Sequence, residues 1–187
     1  MRAPEPVVLA GHGVRLEPWG QEHDANLLDA AQDDELWRWL PVPRPRTPEQ
    51  LQLMRATHPG LPWAVVVDGH AGGCTSYLDV DLSVDGLEIG WTWYRRDLWA
   101  TSVNPACKLL LLGHAFDTLG AARVSLKTDA MNTRSRAAIA KLGCAYDGTL
   151  RHNRLRPDGS VRDTAYFSIL APEWPAARQT LQRRLAA

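Results

Sequence analysis

The sequence predicts an α/β fold of the α+β kind: a mixed, mostly antiparallel sheet of about seven strands flanked by helices. Three observations carry this. Apolar, β-rich stretches at 63–67, 72–80 and 87–94 are joined by short turns at Asp68-Gly69-His70 and Asp85-Gly86, the pattern of an antiparallel meander. The last of these strands runs through a polar turn into a long apolar helix closed by Gly120, and a further strand follows at 123–127; that βαβ order calls for one parallel pairing. The chain has 187 residues, of which 45% are hydrophobic and 22% charged, enough for a single domain over residues 1–187 with one substantial core.

The elements follow in order. Val7–Leu9 and Val14–Leu16 start a strand or hairpin around Gly11-His12-Gly13. Residues 21–32 form a helix, with Leu27, Leu28 and Ala31 at helical spacing. Asp33-Asp34-Glu35 leads into a short helix over 36–40, acidic at its start as the helix dipole favours. The prolines at 41, 43 and 45 make an extended connector. Thr47 caps a helix that begins at Pro48 and runs to about Thr57. After the meander, the long helix is expected to start with Asn104 as cap and Pro105 in its first turn. Beyond the 123–127 strand, Asn132 caps a helix over 133–142 that Gly143 closes. Strands at 145–156 and 161–170 pair across the turn Pro157-Asp158-Gly159, and residues 174–185 form a last amphipathic helix.

Composition narrows the function. A formal net charge of zero argues against a general nucleic-acid or membrane-surface binder. No apolar run approaches the ~20 residues of a membrane span, and the first residues lack the apolar core of a signal peptide. Cys74, Cys107 and Cys144 are odd in number and without metal-ligand spacing, which points to a reduced, cytoplasmic compartment and no metal. Cys107 reads as packing within its helix. Eight tryptophans either fill the core or line a pocket.

The strand–turn–helix at 87–120 is a natural anion site. Backbone N–H groups gather at a helix start, with Arg95 and Arg96 beside them, as a diphosphate requires; a merely solvated turn is the alternative.

A set of residues in order adds to this. Arg15-Leu16-Glu17-Pro18, Glu88-Ile89-Gly90, Trp99, Asn104 with Lys108, and His114-Ala115-Phe116 are followed by Arg123-Val124, Asn132 with Ser135, and Lys141-Leu142-Gly143. Gly148, Leu150, Arg151, Asp158-Gly159, Arg162-Asp163, Ser168 and Glu173-Trp174-Pro175 continue it. In this order the chain resembles the GCN5-related N-acetyltransferases (GNAT), of the RimJ/RimL-like ribosomal-protein N-terminal type, over nearly its whole length. The resemblance implies a V-shaped sheet that splays between the 87–94 and 123–127 strands, with acetyl-CoA as cosubstrate in the splay. Pantetheine amides would pair with the backbone around Trp91, Trp93 and Tyr94. The pyrophosphate would rest on Trp99, Ala100, Thr101, Ser102, Val103 and Asn104. Asn132 would bind pantetheine and Ser135 would approach the thioester sulfur. One departure stands out: the family's phosphate loop carries glycines, whereas this chain has Trp99-Ala100-Thr101-Ser102, so an altered loop geometry, or a degenerate member without turnover, is in view.

Acetyl transfer to an amine needs a base, oxyanion donors and an acid for the thiolate. Glu88 is the candidate base, and a structural carboxylate is its other reading. Strict alternation puts Glu88, Gly90, Thr92 and Tyr94 on one strand face and Ile89, Trp91 and Trp93 on the other. Ser135 is the candidate donor to sulfur. Asp163 and His152 are reserves, and no glutamate stands near Leu155 to replace Glu88. Asp33, Asp34, Glu35, Trp37 and Trp39 fall where the family's acceptor cleft is walled. They would attract and stack on a cationic amine, or else form a helix start and core. A peptide N-terminus, a polyamine or an antibiotic amine fits as acceptor, to a monomer or homodimer.

Overall fold

The computed structural model describes residues 1–186. In chain order the elements are β1 (Leu9–Gly11), β2 (Val14–Pro18), α1 (Asp24–Ala30), α2 (Pro48–Ala56), β3 (Leu61–Val67), β4 (His70–Asp81) and β5 (Gly86–Tyr94). They continue with α3 (Val103–Gly113), β6 (Arg123–Asp129), α4 (Thr133–Ala140), β7 (Ala145–Leu155), β8 (Val161–Leu170) and α5 (Trp174–Ala186). The strands make one eight-stranded sheet in the order β1-β2-β3-β4-β5-β6-β8-β7; the first hairpin supplies the strand beyond the expected seven. All neighbours are antiparallel except β5 and β6.

Local chemistry accounts for most boundaries. The β3–β4 turn places Asp68 at φ 51° and Gly69 at φ 80°, and the β1–β2 turn places His12 at φ 54° and Gly13 at φ 78°. Both are turns with two left-handed residues, whose twist matches that of the flanking strands. The Thr47 hydroxyl accepts the Gln50 N–H, and the Asn132 amide oxygen accepts the Ser135 N–H, each satisfying a free donor of a first turn. Gly120 ends the long helix in the left-handed conformation at φ 77°.

Two segments depart from the expectation. Residues 36–40 are not a helix: only Asp34–Leu36 forms a 3-10 turn, after which the indole of Trp37 turns inward and donates to the Ala31 carbonyl. The long helix starts two residues early, at Val103, with Ser102 at the cap. Asn104 and Pro105 therefore lie inside its first turn, where the missing proline N–H costs nothing. Asn104 turns its amide oxygen to the Tyr94 hydroxyl, 3.1 Å away. The helix widens into a π-helical stretch at His114–Leu119, and the Tyr77 hydroxyl donates to the Leu111 carbonyl just before it.

The sheet is covered on both faces. One apolar cluster joins Val14, Leu16, Trp63, Tyr77 and Ile89 to α3, α4 and α5. The other joins Ala64, Val66, Cys74 and Trp93 to α1, α2, Trp19 and Trp37. No helix among the described residues is long and apolar enough to cross a membrane. Burial pushes the Cys107 thiol up to about 11, in keeping with a packing role.

What positions the site is how β5 runs. It pairs with β6 at only three positions, from Gly86↔Arg123 to Glu88↔Ser125. On its other side it bulges: Ser76 pairs with Gly90 and Cys74 with Trp93, so Trp91 and Thr92 together oppose Thr75 alone. Trp91 absorbs the extra residue at φ 48°, a conformation costly for a bulky side chain. The bulge also reverses the alternation. Glu88 stays on the α1–α2 face, where Trp93 joins it, while Tyr94 lies with Ile89 on the α3 face.

α3 carries one charge into the core. Lys108 is 5% exposed, and its ammonium donates to Thr92 Oγ1 at 2.9 Å and Thr75 Oγ1 at 3.4 Å. No carboxylate among the described residues lies within ion-pair distance, and burial lowers its pKa to about 8. The folded state therefore binds fewer protons than the unfolded chain between about pH 8 and the ordinary lysine value, and stability rises with pH across that window. Lys108→Met is expected to raise Tm at pH 7, with the gain shrinking as pH climbs towards 10; scanning calorimetry at several pH values checks this.

Candidate active site

Past Glu88 and Ser125 the parallel strands separate, and a cleft of about 660 Å³ opens between them. β5 lines it from Glu88 to Tyr94 and β6 from Leu126 to Thr128. The loop before α3 adds Trp99, Ala100 and Thr101, α3 adds Asn104 and Lys108, and the α4 start adds Asn132 and Ser135. Because β6 has moved away, the β5 backbone beyond Glu88 has no strand partner on this side among the described residues. An extended chain of amides can pair there as an added strand.

The loop before α3 offers a second set of free donors. The N–H groups of Leu98 and Trp99 are spent on the carbonyls of Arg95 and Arg96. Those of Ala100, Thr101, Ser102 and Asn104 make no hydrogen bond among the described residues. Ala100 holds φ 61°, the left-handed conformation that glycine adopts most easily. The glycine-poor loop thus reaches a glycine-like shape through its smallest side chain. With the α3 N-terminus behind it, this is an anion cradle. Trp99 braces it: the indole N–H donates to the Tyr94 carbonyl at 2.8 Å, and the Arg96 and Arg134 guanidiniums lie 4.3 and 3.4 Å from the ring centre.

Glu88 sits at the vertex, 3% exposed, with Lys127 Nζ at 2.5 Å. Lys127 also reaches Asp79 Oδ2 at 2.9 Å. Burial raises the Glu88 pKa above the usual carboxylate range, against the pull of the Lys127 ammonium. Lys127 is itself held above its ordinary value, because the pairing with Glu88 and Asp79 outweighs the opposing effect of burial. A carboxylate so placed is a stronger proton acceptor than an exposed one, with Lys127 beside it. Ser135 lies in the first turn of α4 and lines the cleft, and the Asn132 NH₂ makes no hydrogen bond among the described residues after its oxygen caps the helix.

Among the expected cofactor residues, Trp91, Trp93, Tyr94, Trp99, Ala100, Thr101, Asn104, Asn132 and Ser135 line the cleft. Ser102 and Val103 do not: the early start of α3 leaves Ser102 outside as cap and turns Val103 into the core. The acceptor-side expectations shift further. Trp37 is 4% exposed, packs at a tilt against Trp93 with ring centres 5.1 Å apart in the core, and does not line the cleft. Asp33 and Glu35 border a shallow depression beside Arg96, Trp99 and Arg134, on the anion-cradle side. The acidic groups are also engaged, Asp33 by Arg96, Asp34 by Arg44 and Arg46, and Glu35 by Arg38. Trp39 does line the cleft, with Leu36, Leu40 and Pro41. Asp163 accepts the His152 N–H in the β7–β8 hairpin, and neither lines the cleft. Sequence reasoning missed Lys127, Arg154 and Arg162. Period-2 spacing from Ser125, paired to Glu88, would have brought Lys127 to Glu88's face; Arg154 and Arg162 left no such signal.

The chain is similar to known proteins in sequence and in fold. A Bacillus subtilis (strain 168) protein provisionally named ribosomal N-acetyltransferase YdaF is 28% identical over 115 residues, 62% of this chain and 62% of its own length. The crystal structure of a GCN5-related N-acetyltransferase from Brucella melitensis superposes with a TM-score of 0.92 at 28% identity, covering 97% of this chain and 86% of that one. Mycobacterium smegmatis RimJ, solved in complex with CoA-disulfide, shares the fold at a TM-score of 0.83 and 22% identity, over 98% of this chain and 97% of its own. The acetyltransferase (GNAT) domain model matches residues 14–145. The chain belongs to the acetyltransferase (GNAT) domain family.

Proposed function

We propose that this protein transfers the acetyl group of acetyl-CoA to a primary amine, and that the acceptor is the α-amino group of a protein N-terminus. One observation carries the acetyl-CoA reading: a cleft with unpaired β5 backbone along one wall and unpaired N–H groups at the α3 start. The CoA complex of the RimJ neighbour and the ribosomal acetyltransferase name of the YdaF relative support it and the choice of acceptor. The apolar mouth formed by Leu36, Trp39, Leu40 and Pro41 suits an extended peptide start entering from the α1–α2 side. Non-catalytic CoA binding is the alternative, and turnover separates the two.

The residues divide the work as follows. The donors at Ala100, Thr101 and Asn104 hold the diphosphate, with Arg96 and Arg134 adding charge. The β5 backbone at Trp91 and Thr92, freed from β4 by the bulge, supplies an N–H to the thioester carbonyl and its developing oxyanion. Glu88 takes the ammonium proton, directly or through water, and Lys127 and Asp79 hold its carboxylate in place. Ser135 donates to the departing sulfur. Lys108 anchors Thr92 from below the bulge and keeps its backbone aimed.

Acetyl-CoA at about 100 times its Kd is expected to stabilise the fold by ~2.7 kcal/mol and raise Tm by several degrees. No shift at saturating ligand would sink the reading. Glu88→Gln is expected to lower kcat by roughly 10²-fold or more while leaving acetyl-CoA affinity within about twofold. In the native protein kcat/KM rises with pH through the elevated Glu88 pKa, since only the ionised carboxylate takes a proton. That acid limb disappears in Glu88→Gln, as thiol release across a pH series would reveal. Ser135→Ala is expected to cost about tenfold in kcat, with KM for acetyl-CoA little changed.

A further inference from the structure

The mouth of the cleft that faces away from α3 and α4 is lined by cationic side chains. Two guanidiniums, Arg154 from β7 and Arg162 from β8, line it beside Glu88 and Lys127. Neither has a carboxylate within 4 Å among the described residues. The nearby acidic groups are already committed. Glu88 and Asp79 share Lys127, and Asp129 is held by Arg156 at 2.7 and 3.2 Å. Asp163 receives the His152 N–H.

Arg162 is the more telling of the two. It is 7% exposed, yet among the described residues its hydrogen-bond partners are all neutral: Nε donates to Thr164 Oγ1 at 3.1 Å and Nη1 to the Trp39 carbonyl at 3.4 Å, and Asp129 acts on it only at longer range. Burying a guanidinium against neutral groups alone is costly, and a bound anion offsets that cost. Arg154 adds to it, because its charge opposes the protonated forms of both Lys127 and Arg162. Three cations thus crowd one mouth. The bond from Arg162 to Trp39 also ties this charge to the apolar segment between α1 and α2, so an acceptor on Trp39 and Pro41 meets Arg162. The acidic run Asp33-Asp34-Glu35, which would have balanced the site, is turned away and paired elsewhere.

We propose that this mouth is an anion subsite for the acceptor: the amine acetylated here carries a carboxylate close to its reacting nitrogen, as in a peptide whose second or third residue is Asp or Glu. Arg162 and Arg154 grip that carboxylate, and Glu88 meets the amine. Polycationic acceptors, polyamines and aminoglycosides alike, are repelled. The inference rests on the acetyl-transfer reading and deepens it by naming the acceptor class.

The test is a panel of amidated peptides differing only at residue two, Asp, Asn or Lys, with free aspartate and spermidine beside them. Two quantities are measured: thiol release from acetyl-CoA, and acceptor Kd from tryptophan fluorescence with CoA present and absent. The Asp peptide is expected to exceed the Asn peptide by about tenfold in kcat/KM and in affinity, or ~1.4 kcal/mol, and the Lys peptide to fall below both. The margin shrinks as salt is raised. Arg154→Glu, an exposed change that leaves the core intact, is expected to abolish the preference or reverse it, with acetyl-CoA affinity unchanged. Free aspartate equal to the Asp peptide would identify a small amino acid as the source of the carboxylate and keep the subsite. Equal Kd across the three peptides, or a preference untouched in Arg154→Glu, overturns the proposal. A charge preference in Kd without thiol release from any acceptor would leave the subsite standing and count against acetyl transfer.

Discussion

β5 and β6 run side by side for three residues and then part. Two parallel strands inside a sheet would ordinarily bury their facing edges in each other. Here each edge is left with unpaired backbone, and a buried edge of that kind is tolerable only if something pairs with it. The separation is maintained from both sides. The bulge at Trp91 and Thr92 bends β5 away, and β6 is carried off by its seven-position ladder with β8. α3, α4 and α5 fill the wedge from one face, and the α1–α2 segment closes over the other. The cleft follows from how the sheet is built.

The same break sets the electrostatics. At the vertex, where the strands still touch, Glu88 and Lys127 face each other from adjacent strands and pair at 2.5 Å, largely out of water. Towards α3 the site offers neutral N–H donors and a helix N-terminus, which favour phosphate. Towards β7 and β8 it offers guanidiniums. A chain with no net charge therefore presents a cleft suited to anions at both mouths, through backbone N–H groups at one and guanidiniums at the other, with Glu88 between them. Net charge speaks to the behaviour of the whole surface and says little about a concave site whose walls come from distant parts of the chain.

Much of this was legible in the sequence because it is local. Caps, turn residues and apolar period fixed α2, the β3–β4 hairpin, Gly120 and the α4 start within a residue or two, since each depends on contacts a few positions apart. The ordered residues from Glu88 to Gly143 were enough to point to the family and so to the cleft. What failed was non-local. Trp37 and its neighbours had the spacing of a short helix, but the indole's route to Ala31 and Trp93 drew the segment inward. Asn104 looked like a cap, but Thr101 and Ser102 start α3 instead.

The sequence by itself determined most of the elements, their order, the single parallel pairing and Glu88 as the carboxylate at its head, but not the 36–40 segment. Only the tertiary structure decided which face each β5 residue takes, because one extra residue against β4 shifts a period-2 pattern by a step and exchanges the faces of Trp93 and Tyr94. It alone decided that Lys127 meets Glu88 and that Arg154 and Arg162 stand at the acceptor mouth. Those partners come from strands 39 to 74 residues downstream, and only the register across β6, β8 and β7 brings them to one place.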